Sequence, residues 1–285
     1  MSEPRGTEPV RPARSNLHTR VISAIVLAAV VLALTWVGGV WFRLLAVAIG
    51  AAVFYEWATM AGAASSVRYR VAAGVLVGLV LLALALGASG LIVIGGAVVA
   101  GVLAWIHARV AGEGGWLWLA IPYAAIPAAA LAFLRGSDPA GIWAMLFLFA
   151  VVWATDIFAY FVGRAIGGPK LAPSISPGKT WSGAIGGAAA AVLAGVAVAA
   201  LAGAALGNGA MALAALALSV VAQAGDLFES GLKRRFGTKD SGFLIPGHGG
   251  VMDRVDGLVA AAVALYVVGA LAGGTDLPAH GLFVR

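Results

Sequence analysis

Long apolar runs constrain this chain more than any other feature. Nine of them, at about 20–37, 40–60, 71–87, 89–107, 116–134, 141–163, 183–206, 209–230 and 255–273, are each long enough as helices to cross a hydrocarbon core of roughly 30 Å. Lipid offers no partners to backbone N–H and C=O groups, so such runs must satisfy them internally, as helices. The expected fold is all-α: a polytopic transmembrane helical bundle of about nine membrane helices. Composition closes off the soluble alternative. The chain is 62% hydrophobic and 11% charged, where a soluble domain carries about a quarter charged residues.

The net charge of +6 would suit nucleic acid, but the cations sit in short loops between apolar runs, so no nucleic-acid partner is expected. If the N-terminus is cytoplasmic and the helices alternate, only Arg43, Arg135 and Arg285 of the 18 Lys and Arg residues fall on the far side. Positive residues are held on the cytoplasmic side. The chain is therefore expected to be a multi-pass membrane protein with these loops on the cytoplasmic side. The apolar run from Val21 is long for a signal sequence and lacks a small-residue cleavage site, so it is expected to persist as the first helix. Residues 1–19 read as a disordered cytoplasmic tail, 20–140 as about five N-terminal membrane helices, and 141–285 as a catalytic region with polar cytoplasmic loops at 164–182 and 231–254. The 40 glycines, as in the run from Gly183 to Gly187, are expected to be packing faces for close helix approach. With no cysteine, a metal would be held by oxygen or histidine, which favours a hard cation such as Mg²⁺.

Carboxylates at membrane depth cost about 2.5–3.5 kcal/mol each on insertion scales, so four stand out: Glu56, Asp156, Asp226 and Glu229. Glu56 either reaches the interface or pairs structurally with an Arg, with function an open alternative. Asp156 and Tyr160 share a helix face by i, i+4 spacing, as a functional or a buried hydrogen-bonded pair. The loop ending Gly178-Lys179-Thr180 is no P-loop, because Pro173 stands where that pattern needs its first Gly and no strand precedes it. It remains either an anion site at a helix N-terminus or an ordinary capped helix start.

The cluster from Asp226 to Asp256 is more telling. Asp226 and Glu229, and again Asp253 and Asp256, are spaced i, i+3 and line single faces at two helix ends. Carboxylates converging from two helices suit Mg²⁺ shared with substrate phosphates. Lys233, Arg234, Lys239 and Arg254 between them can neutralise phosphate charge, and Gly247-His248-Gly249-Gly250 lets backbone approach a ligand.

This segment resembles the signature of the phosphatidate cytidylyltransferase (CDP-diacylglycerol synthase) family. The match runs without a gap through Ser230, Lys233, Arg234, Lys239, Asp240, Gly242, Pro246, His248, Gly249, Gly250, Asp253, Arg254 and Asp256. Upstream, the segments Asp156 to Arg164 and Ser176 to Gly183 are also similar, departing at Gly178, where a Lys is common, and Ser182, where a Glu is common. The resemblance covers about 153–271; apart from Tyr55-Glu56-Trp57, the first half matches mainly in being hydrophobic. It implies transfer of CMP from CTP to phosphatidate, giving CDP-diacylglycerol and diphosphate, at the cytoplasmic interface. On this basis Asp226 and Asp253 would be metal ligands, with Asp256 among them or directly behind. Lys239 and Arg254 would hold phosphates, helped by Lys233, Arg234, Lys179 and Ser176, with Ser230, Asp240, His248, Gly249 and Gly250 binding substrate. No strong general base is needed, so His248 is expected to position rather than to transfer protons. A second metal ion and a homodimer are further expectations. Rivals are another CTP-dependent lipid transferase, such as a polyprenol kinase or an archaeal-type lipid cytidylyltransferase, and a transporter. CDP-alcohol phosphotransferases are disfavoured because Leu258 to Ala261 breaks their pattern after Asp256-Gly257. The transporter is disfavoured by charges that crowd one membrane edge and by the want of an inverted repeat.

Overall fold

The computed structural model describes residues 13–284. Its elements are α1 (Ala13–Val37), α2 (Gly39–Ala61), α3 (Val67–Ala85), α4 (Gly90–Ala111), α5 (Leu117–Arg135), α6 (Pro139–Ile166), β1 (Lys170–Ala172), β2 (Ser176–Thr180), α7 (Trp181–Ala202), α8 (Gly207–Arg235), α9 (Met252–Gly273) and the short α10 (His280–Phe283). Eight helices, α2 to α9, are long and apolar enough to cross a membrane, and α1 adds a shorter apolar stretch, Val21–Val37. The helical bundle is as expected, with two corrections. The loop at 164–182 contains an antiparallel hairpin of β1 on β2. The loop predicted at 231–254 is shorter, because α8 continues to Arg235 and α9 already starts at Met252. Lys233, Arg234 and Arg235 thus form the last turn of α8, where cations offset the negative helix end, and Asp253 lies in the first turn of α9. The tail through residue 12 lies outside the described residues; α1 begins earlier than the run predicted from residue 20.

Contacts between helix ends give the alternation physical form. At one face Glu56 closing α2 meets Ser241 beyond α8, Arg235 stacks on Trp116 before α5, and Lys179 before α7 pairs with Asp226 of α8. At the other face Arg135 closing α5 donates to the carbonyls of Thr35 and Trp36 at the end of α1, and Asp138 before α6 meets His280. Consecutive helices therefore run up and down, as the loop charges predict. The central α5 is the helix most enclosed by protein. It packs on α2, α3, α4, α6 and α9 and contributes to both apolar clusters. One is mainly on α2 to α5 with Leu232 and Met252, the other mainly on α5 to α10 with Phe42 and Ala46 of α2.

Small residues act as packing faces, as expected. A Cβ on Gly183 would lie 2.6 Å from the Ala159 carbonyl oxygen, and one on Gly187 would lie 2.6 Å from that of Thr155. Both would push α7 off α6. Gly225 does the same work between α8 and α9, where an added Cβ would meet Ala260 at 2.6 Å and the Asp256 carbonyl at 2.9 Å. That close approach brings the carboxylates of the two helices together.

Candidate active site

Asp226 projects from α8 one residue after Gly225, and its carboxylate pairs with Lys179 of β2 and accepts from Ser230 Oγ at 3.4 Å. Asp156 of α6, Asp226 and Asp256 of α9 lie close enough to repel one another, and Lys179 offsets part of that repulsion. Glu229 sits behind them, fully buried. Among the described residues neither of its carboxylate oxygens has a hydrogen-bond donor, although Lys233 Nζ lies 3.2 Å from Oε1 as an ion pair. A cavity of about 560 Å³ opens in front of this group, lined by Asp156, Tyr160, Arg164, Lys170, Lys179 and Asp226. Beside it, between α7 and α8, lies an apolar groove of about 600 Å³ lined by Trp181, Ile185, Val192, Leu216, Val220 and Leu227. The two share Leu171, Ala184 and Gln223.

The turn before α9 is built around two carboxylates. Asp253 accepts from Gly250 N–H at 2.9 Å, from Ser241 N–H at 2.9 Å and Ser241 Oγ at 3.0 Å, and from Lys233 Nζ at 2.7 Å. Glu56, from α2, places Oε2 3.0 Å from Ser241 Oγ, whose single proton is shared between this carboxylate and that of Asp253. Glu56 also accepts from Val251 N–H and Met252 N–H at 2.8 Å each. It thereby satisfies free N–H groups at the start of α9 from another part of the chain. The glycines here make room for Glu56: a Cβ on Gly250 would lie 2.6 Å from Glu56 Oε2, and one on Gly242 would lie 2.9 Å from Glu56 Oε1. The expectation of an Arg partner for Glu56 is therefore replaced by helix capping. Gly249 has φ +85° in the turn, a conformation that glycine adopts without steric cost.

The model of the cytidylyltransferase family matches residues 18–272. The chain belongs to that family. It is 53% identical over 274 residues to the phosphatidate cytidylyltransferase of Brucella suis biovar 1, covering 94% of this chain and 99% of that protein. The phosphatidate cytidylyltransferase of Rickettsia bellii is 33% identical over 266 residues, or 90% of this chain and 93% of that protein. For that of Haemophilus influenzae, 46% identity extends over 125 residues, 42% of this chain and 43% of that protein.

Within this cytidylyltransferase the predicted residues do not all come together. Lys179 and Asp226 line the cavity with Asp156, Ser230 donates to Asp226 beside it, and Asp256 lies near enough to interact electrostatically with both aspartates. Lys233, Asp253 and Gly250 are tied to one another in the turn. Arg254 donates to the His248 carbonyl at 2.7 Å from Nη2 and 3.2 Å from Nε. Lys239, Asp240 and Arg234 are exposed, and among the described residues none of them is in an ion pair. Ser176 pairs with Ala172 in the hairpin. Thr180 caps α7 by accepting from Gly183 N–H at 3.1 Å, so the loop is both a capped helix start and the carrier of the Lys179 contact. Asp156 and Tyr160 share the cavity wall without bonding to each other, Tyr160 instead accepting from Arg164 Nη1 at 3.1 Å. Sequence reasoning missed the capping role of Glu56, for which a carboxylate near a helix end with no cation in reach by spacing was the available signal.

The donor set suits a hard divalent cation in kind, since it offers the carboxylate oxygens of Asp226, Asp256 and Asp156. In arrangement, no three acidic or histidine side chains group to hold a metal ion among the described residues. Phosphate oxygens of a substrate would have to complete such a shell.

Proposed function

We propose that this protein transfers CMP from CTP to phosphatidate, releasing diphosphate. The observation that supports this reading best is the contiguity of a charged cavity with an apolar groove of similar size. A polyanionic nucleotide suits the first and acyl chains the second. A phosphatidate oxygen forms its bond to the α-phosphorus of CTP opposite the α,β-bridging oxygen. The bond from the α-phosphorus to that bridging oxygen breaks, and the oxygen leaves with the diphosphate. The nucleophile is already ionised, so no proton need move, and catalysis rests on positioning and charge neutralisation.

In this reading Lys179 exchanges its Asp226 partner for substrate phosphate, with Lys170 and Arg164 on the same wall and Lys239, Arg254 and Arg234 approaching from the turn. Asp226 and Asp256 would hold Mg²⁺ together with substrate phosphate oxygens, and the ion would supply charge neutralisation at the phosphates. Asp253 and Lys233 keep the turn in place beside them. The loop charges support a cytoplasmic site in a bacterial inner membrane, where CTP arrives from water and lipid from the leaflet. Small-residue helices permit the homodimer that belongs to the same reading. The test is diphosphate release by purified protein given CTP, Mg²⁺ and phosphatidate, omitting each in turn. Release that needs all three, with a CDP-lipid product, is the expected result. CTP consumed to CDP with a polyprenol instead would hand the site to a kinase.

A further inference from the structure

The charged cavity and the apolar groove meet at three residues, Leu171, Ala184 and Gln223. Of these only Gln223 has a side chain that can hydrogen-bond. Apart from the indole of Trp181, it is also the one polar side chain that lines the groove. Gln223 stands on α8 three residues before Asp226, so the two share a helix face. Its Nε2 lies 3.4 Å from the Ala184 carbonyl oxygen and 3.4 Å from Ser219 Oγ. A carbonyl only accepts, so the amide nitrogen rather than the amide oxygen faces Ala184, and with it the junction. Both contacts are longer than about 3.2 Å, the usual limit for such bonds, which leaves the two N–H groups weakly held. Ser219 has a second partner, Thr155 Oγ1 at 2.8 Å, so it is not stranded when Gln223 turns to a ligand.

The lipid of the proposed reaction has the complementary chemistry. In phosphatidate two ester carbonyls lie between the phosphate and the acyl chains, and each accepts hydrogen bonds without a proton to give. With the phosphate in the charged cavity and an acyl chain in the groove, the ester region falls at the junction. We infer that Gln223 is a specificity-determining residue, which donates an amide N–H to an ester carbonyl of the lipid and so favours diacyl over ether-linked dialkyl acceptors. The inference rests on the reading of this site as one that transfers CMP to phosphatidate, and adds to it the linkage that the site recognises.

The test compares dioleoyl phosphatidate with its dialkyl ether analogue, which keeps the phosphate and the chains but lacks both carbonyls. Each is titrated as a mole fraction of detergent micelles, and diphosphate release by the full chain is followed with CTP and Mg²⁺. The wild type is expected to show a KM for the ether roughly two- to tenfold above that for the ester, the scale of one hydrogen bond. In Gln223→Met, unbranched and of similar size but without a donor, the two lipids are expected to become equivalent, and Gln223→Leu should do the same. Because the readout is a ratio within one protein, a general loss of activity or stability cancels. Equal KM values for the two lipids in the wild type overturn the inference, whatever the variants do. A wild-type ratio that persists in both variants assigns the ester to another group and overturns the role of Gln223. A wild type that turns over neither lipid refutes the activity reading, and the inference falls with it.

Discussion

Glu56→Gln is the sharpest probe of how the turn before α9 is held. Glu56 is fully buried, at 0% exposure, and its two oxygens take the N–H groups of Val251 and Met252 and share the hydroxyl of Ser241 with Asp253. Gln has nearly the same volume but replaces one oxygen with an NH₂ group. Whichever way the amide turns, its NH₂ faces a backbone N–H, and one buried donor goes unmet at a cost of about 1–3 kcal/mol. Removing the negative charge from the start of α9 costs roughly another 0.3–1 kcal/mol. The sum of about 1.3–4 kcal/mol corresponds to a factor of about ten to several hundred in the equilibrium that keeps the turn docked. The variant should insert and purify like the wild type. Its kcat/KM for CMP transfer should fall at least about tenfold, and trypsin should cut sooner at Lys239, which lies in that turn. Wild-type kcat/KM together with a wild-type digestion pattern would refute the capping argument.

Two aspartates separate the chemistry from the scaffold. Asp226→Asn should abolish diphosphate release with little change in thermal midpoint, because Asp226 is half-exposed in the cavity and its carboxylate contacts are Lys179 and Ser230. Asp253→Asn should also lose turnover while still inserting, but with a lowered midpoint, since an amide leaves one of the donors from Gly250, Ser241 or Lys233 unmet at about 1–3 kcal/mol. On the opposite face, Arg135→Met should lower the thermal midpoint and leave KM unchanged, because Arg135 is 2% exposed and its guanidinium serves the carbonyls of Thr35, Trp36 and Asp138. Asp138 carries a pH dependence. Burial pushes its carboxyl up, but the His280 contact and the Gly141 N–H outweigh this and hold it below the ordinary value of 3.8. A depressed carboxylate stabilises the fold above its unfolded pKa, and that contribution is lost as pH falls through the folded value. The midpoint gap between wild type and Asp138→Asn should therefore narrow on acidifying from about pH 5 to about pH 3; a gap that stays constant or widens would contradict the sign.

Read from residues alone, the chain already yields its solvent, its helices and their alternation, because each depends on local composition: a run of apolar residues must bury itself in lipid, and a cation must stay out of it. The small-residue face of α7 was legible for the same reason, since a helix without side chains at regular positions has little option but to let another come close. The carboxylates were recognisable as costly, but not their partners. Spacing paired Asp226 with Glu229 and Asp253 with Asp256, and the folded chain instead divides them by task. Asp226 and Asp256, on the two helices that Gly225 lets approach, lie near enough to repel one another, whereas Asp253 turns inward to tie down Ser241 and Gly250.

Contacts that join distant parts of the chain leave no periodic trace, and these the tertiary structure alone decided. Glu56 caps a helix almost two hundred residues later, at Val251 and Met252, and Ser23 reaches His248 across the bundle. Gly250 reads in sequence as room for a ligand, yet the group that occupies its space, and that beside Gly242, is the Glu56 carboxylate. The physical reason is common to all three. Sequence spacing specifies which residues share a face of one helix, but which faces meet is set by how all the helices pack, and that is where the polar groups of this site find their partners.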